Sequence, residues 1–191
     1  MCFYCGTETF DDWEHDAYGQ NKSYGQPLTN QLGSILDFAN YAKEGYWNDV
    51  RYISGEWNLS SNGYRAENGQ LDYYFGPSSN DVSGLNLTYQ LQATESFRYL
   101  ESVLGIKFRE YDGGDIDIYF TDNDTGAYES NSVYPLGGFK LLSVINVSTN
   151  WSQNDYLYQT FMHEIGHALG LGHTGNYNSP AVITEAKFLN D

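Results

Sequence analysis

The stretch His163-Glu164-Ile165-Gly166-His167-Ala168-Leu169-Gly170-Leu171-Gly172-His173 constrains this chain more than any other. It reads H-E-x-x-H, extended to H-E-x-x-H-x-x-G-x-x-H. On an α-helix, positions four apart lie little more than one turn apart, so His163 and His167 project from one face and can share a small cation. Glu164 sits about 100° round the helix from His163, too far round to join the pair as a ligand but close enough to reach a water beside the metal. Gly170 follows the last helical turn and enters a left-handed cap at little cost, which lets the chain fold back and deliver His173. Three imidazoles with a fourth position open make the donor set of a catalytic zinc, whereas structural zinc sites close all four positions, usually with cysteine. A single histidine on a helix is more often a packed or surface residue than a ligand. Here three of the chain's four histidines fall in this stretch, and only His15 lies outside it.

The 191 residues suffice for one domain with a sizeable core. Nine Lys and Arg against 25 Asp and Glu leave a formal charge of −16. Phosphate binding needs a basic face, so this balance argues against nucleic acid as a partner. No apolar run is long enough to span a membrane, and Met1-Cys2-Phe3-Tyr4-Cys5 is not a basic region followed by an apolar core. Eighteen tyrosines among Asn, Ser and Gly favour an ordered, polar fold over disorder. Cys2 and Cys5 form a C-x-x-C with no helix or strand pattern around it, which reads as a tail; the alternative is that one thiolate reaches the zinc and closes its open position.

Taken in order, residues 1–27 are polar and without period, and read as a leader or propeptide-like segment. Leu32, Ile35, Leu36, Ala39 and Tyr41 keep helical spacing ahead of Gly45, predicting a first helix that Gly45 ends. Leu71 to Phe75 reads as a strand closed by Gly76-Pro77. Residues 86–104 read as a long helix, its apolar side drawn from Leu87, Leu91, Phe97, Leu100, Val103 and Leu104 and its end set by Gly105. Lys107 to Tyr111 and Asp115 to Phe120 alternate around Asp112-Gly113-Gly114 and predict a hairpin or a short crossover. Asp112, Asp115 and Asp117 are a candidate calcium set, with a plain acidic turn as the alternative. Asp122 to Gly126 reads as a second turn, Lys140 to Val147 as the most apolar strand, and about Gln153 to Leu169 as the helix that carries the motif. The fold class is therefore α+β, a mixed twisted sheet packed on two long helices, the second bearing the zinc motif.

The motif, continued by Thr174-Gly175-Asn176-Tyr177-Asn178, resembles that of the serralysins, secreted bacterial zinc endopeptidases of the metzincin clan. Tyr158-Gln159-Thr160-Phe161 ahead of it, and the strand Asp115-Ile116-Asp117-Ile118, are similar to that family as well. The resemblance implies a metzincin-like fold over residues 28–191, zinc on His163, His167 and His173, and Glu164 as general base. It also implies that the strand near Ala127 and Tyr128 pairs with an extended protein or peptide substrate, and that the protein acts outside the cell. Metzincins have a methionine turn beneath the metal, and serralysins a downstream calcium-binding repeat domain. No methionine follows Met162 in this chain, so residues 28–191 are expected to be a catalytic domain truncated before that turn, with a second fragment as the source of the turn and the calcium repeats. Two activities stay open: a zinc endopeptidase, or a zinc-binding but catalytically impaired fragment or interaction module.

Overall fold

The computed structural model describes residues 35–49, 55–59, 69–79, 81–134, 139–150 and 154–173. The expected leader, both cysteines, the run after His173 and the C-terminal segment lie outside these residues. The described residues form two compact units, 55–170 and 35–49 with 171–173.

The larger unit is built on a five-stranded sheet in the order β2-β1-β3-β5-β4. Its strands are β1 (Gln70–Tyr74), β2 (Lys107–Glu110), β3 (Ile118–Thr121), β4 (Ala127–Val133) and β5 (Lys140–Val147). β1 runs parallel to both β2 and β3, and β3 parallel to β5, with Tyr119 opposite Val144. Only β4 is antiparallel, pairing with β5 from Ala127 opposite Val147 to Val133 opposite Lys140. The sheet is thus mixed, and β4 forms one of its edges.

Of the two forms expected around Asp112-Gly113-Gly114, a hairpin or a short crossover, the crossover is the one formed. β2 and β3 lie on opposite sides of β1, so the acidic turn is a crossover that carries the chain past β1. Parallel neighbours cannot be joined by a tight turn, and here the intervening strand takes the hydrogen bonds that a hairpin would have made internally.

Two helices cover the sheet, α3 (Leu87–Leu104) and α4 (Asn154–Ala168), and they pack on each other. α3 begins where the Asn86 side chain accepts the Tyr89 N–H and ends at Gly105, left-handed at φ 71°. Gly105 is the residue that sets the end of the expected span 86–104, and the Asn86 cap is added by the structure. Its inward face differs from the expected one. Tyr89, Ala93, Ser96 and Phe97 are buried, at helical spacing, while Leu87, Leu91, Val103 and Leu104 lie exposed. The larger rings decide the rotation. Phe97 stacks on Tyr73 with ring centroids 4.4 Å apart, and the Tyr89 hydroxyl donates to the Ser148 carbonyl at 2.8 Å.

On α4, Leu157, Phe161, Glu164, Ile165 and Ala168 form the buried stripe. The core between the layers is aromatic: Phe120 of β3 lies against Phe75, Phe97 and Phe161 and is fully buried. Burying a ring of this size contributes about 1.5–3 kcal/mol. That core fixes α4 by its apolar stripe and leaves the motif's polar positions to other work.

The smaller unit holds α1 (Ile35–Asn40), a π turn (Tyr41–Gly45) and α2 (Tyr46–Asp49). Gly45 therefore does not end the helix as expected; the helix widens by one residue and continues. The Tyr46 N–H reaches the Tyr41 carbonyl, five residues back, and that register buries Tyr41, Ala42, Tyr46 and Trp47 together. Ile35 and Leu36, two of the positions whose spacing predicts the helix, are exposed.

Among the described residues no helix is long and apolar enough to cross a membrane.

Candidate metal centre

α4 presents His163 and His167 as their four-residue spacing demands. Their Nε2 atoms lie 3.0 Å apart, with ring centroids 4.5 Å apart and the rings near perpendicular at 83°. A tetrahedral zinc about 2.0–2.1 Å from each imidazole nitrogen would hold two of them roughly 3.3 Å apart, so the pair sits close to ligand geometry. Burial, with the neighbouring His167 adding to it, pushes the His163 imidazole down to about 3. At neutral pH that ring is uncharged and offers a lone pair, the form a metal requires.

The turn after α4 follows the sequence closely. Gly170 is left-handed at φ 95°, and its N–H closes on the His167 carbonyl at 2.9 Å. Gly172 donates its N–H to the Ala42 carbonyl at 2.6 Å, and a Cβ there would meet the Tyr46 ring at 2.3 Å, so residue 172 has no room for a side chain. The Tyr46 ring packs edge-on against His173 with centroids 4.9 Å apart. The ligand atoms of His163, His167 and His173 all lie within 4.8 Å of one another, a group able to hold one metal ion. All three donors are imidazoles, which suits zinc and disfavours magnesium or calcium, whose preferred ligands are oxygens. Glu164, one position after the first histidine, is buried.

The carbonyls at the end of α4 are held by side chains that the sequence does not advertise. Trp57 Nε1 donates to the Ala168 carbonyl at 2.8 Å. Lys140 Nζ donates to the His167 carbonyl at 2.9 Å and to Glu129 Oε1 at 3.1 Å, with the Lys140 side chain wholly buried. Removing one partner alone from such a buried pair costs about 3–5 kcal/mol. Both residues escape a sequence reading because a lysine opening a strand and a glutamate within one look like ordinary surface positions.

Ala127 and Tyr128, the candidate substrate-contacting residues, open β4 on the sheet edge. Asn146 places them: its side-chain amide donates to the carbonyls of Asp124 and Gly126, and its Oδ1 accepts from Thr121 Oγ1. The Tyr128 hydroxyl donates to Asp124 Oδ2 at 2.9 Å. Burial, then that hydrogen bond, pushes its pKa up to about 12. Ala127 itself is buried in the core.

The acidic residues considered for calcium do not gather. Asp117 is buried and its Oδ2 accepts the Asp72 N–H at 2.8 Å, while Asp112 and Asp115 are exposed. The histidine trio is the group found among the described residues.

Comparison with known proteins adds a family. The high choriolytic enzyme 1 of the medaka Oryzias latipes, a hatching enzyme zinc-protease, aligns structurally at 20% identity with a TM-score of 0.39. That alignment covers 61% of this chain and 49% of the medaka chain, so it spans about half the medaka enzyme's length. No curated protein matches. Residues 77–174 match the metallo-peptidase family M12B, reprolysin-like. The match takes in slightly more than half of the 191 residues and runs from the end of β1 through the third histidine. With its extended histidine motif folded into one metal-binding group inside that span, the chain belongs to the reprolysin-like M12B metallopeptidases, and so to the metzincins.

Proposed function

We propose that this chain hydrolyses peptide bonds as a zinc endopeptidase, with His163, His167 and His173 as metal ligands and Glu164 as general base. One observation carries the reading: three imidazoles of a single motif meet within 4.8 Å, next in sequence to a buried carboxylate. Zinc, when bound there, supplies Lewis acidity toward a water molecule and toward a carbonyl oxygen. The chain's own groups do the rest. The Glu164 carboxylate takes a proton from the attacking water and returns it to the departing amide nitrogen. The neutral His163 ring keeps its lone pair available without competing for that proton. The outer edge of β4, at Ala127 and Tyr128, hydrogen-bonds an extended peptide through its main chain and lays the scissile bond alongside the metal site.

Residues 28–191 serve as the catalytic domain in this reading, and its substrates are extracellular proteins or peptides. A serralysin-like character rests on the run Thr174 to Asn178 and on the strand before β4. The M12B match supports the broader metzincin assignment. Further chain carrying a methionine turn and calcium repeats remains part of the proposal on the same resemblance.

The test is hydrolysis of casein or a quenched peptide by the zinc-loaded chain. Activity should vanish on treatment with 1,10-phenanthroline and return with one equivalent of zinc. One bound zinc per chain with no cleavage of either substrate would instead make this a zinc-binding interaction module.

A further inference from the structure

We propose that Lys140 is a positioning residue for the metal site, its ammonium fastening the His167 carbonyl to Glu129 of the edge strand β4. The proposal rests on the reading of His167 as a zinc ligand. Three elements meet at this one group: β5 supplies Lys140, β4 supplies Glu129, and the last turn of α4 supplies the carbonyl. Glu129 is itself held from two sides, Oε1 accepting from Ser143 Oγ and Oε2 from Asn131 Nδ2 at 3.1 Å.

A plain helix cap does not explain the arrangement. The His167 carbonyl already accepts the Gly170 N–H, and the next carbonyl along, Ala168, is satisfied by a neutral indole. A desolvated ammonium is a costly donor where a neutral one would serve. It is spent on the backbone of the residue whose ring faces the metal, and its counter-ion sits one residue beyond Tyr128. Neighbours that orient metal ligands typically contribute 10–100-fold to metal affinity, and Lys140 acts as such a neighbour through the main chain. The orientation of His167 and the placement of the substrate-pairing edge are thereby set at one point.

The double variant Glu129→Gln with Lys140→Met removes the fastening without leaving a lone buried charge. Its zinc dissociation constant should rise by about 10–100-fold, and the visible d–d bands of its cobalt-substituted form should shift. Ser143→Ala, which removes one donor to Glu129 and leaves the Lys140 contact with His167 in place, should lower thermal stability and keep both readouts at parent values. A folded double variant with parent zinc affinity and an unchanged cobalt spectrum overturns the proposal. Should the double variant not fold, the ammonium resonance of Lys140, one of five lysines, is followed by proton–nitrogen NMR in the parent. It should shift between zinc-loaded and chelated protein, and an unmoved resonance also overturns the proposal. A parent chain that binds no zinc overturns the metal-site reading and this inference together, whereas an indifferent double variant of a zinc-binding parent overturns the Lys140 role alone.

Discussion

Glu164→Gln should lower kcat for peptide hydrolysis by about 10²–10⁴-fold while zinc content stays at one ion per chain. The substitution keeps the size and most of the hydrogen-bonding capacity of the side chain and removes its ability to take a proton. Glu164 lies in the buried stripe of α4, between Phe161 and Ile165, so the glutamine is held where the carboxylate was. The three histidines are untouched, and metal affinity has no reason to change by more than a few-fold. The residual rate would be what Lewis acidity and substrate alignment provide without a base. Metal analysis beside steady-state kinetics reads both quantities, and a variant that cleaves at the parent rate removes Glu164 from the mechanism.

The second large effect is at His167. His167→Ala should weaken zinc binding by more than about 100-fold, since losing a ligand must cost at least as much as losing a neighbour that merely orients one. The reason is geometric: His163 and His167 present their Nε2 atoms 3.0 Å apart from consecutive turns, and neither ring alone makes a site. Peptidase activity should become undetectable. Thermal melts give an independent readout. At free zinc 1,000 times the parent dissociation constant, zinc adds about 4.1 kcal/mol to parent stability, and a 100-fold weaker site retains about 1.4 kcal/mol. A variant whose melting temperature responds to zinc as the parent's does would show that His167 is not a ligand.

Local features of this fold are legible in the sequence. α3 stops at Gly105, the glycine that closes its expected span, and α4 and β5 fall within a residue of their expected bounds. The metal group was legible for the same reason: its three histidines lie within one helix and the turn that follows, so helix geometry and one left-handed glycine specify most of it. What was not legible depends on partners distant in the chain. The choice between hairpin and crossover after β2 depends on β1 standing between β2 and β3, and no pattern in residues 107–120 records that. The side of α3 that faces inward is decided by Tyr73, Phe120 and the Ser148 carbonyl rather than by the helix's own leucines. At Gly45 the local stop signal is overridden because widening the helix buries Tyr46 and Trp47. Lys140 and Glu129, eleven residues apart, become a buried pair only once β4 and β5 align and the end of α4 supplies a third partner.

A zinc held by three histidines with one position left for chemistry is best tested by X-ray absorption at the zinc edge of the loaded chain. The expected zinc shell has three imidazole nitrogens at about 2.0–2.1 Å with one further light atom and no sulfur. A sulfur scatterer at about 2.3 Å, or a shell with fewer than three imidazoles, would contradict it.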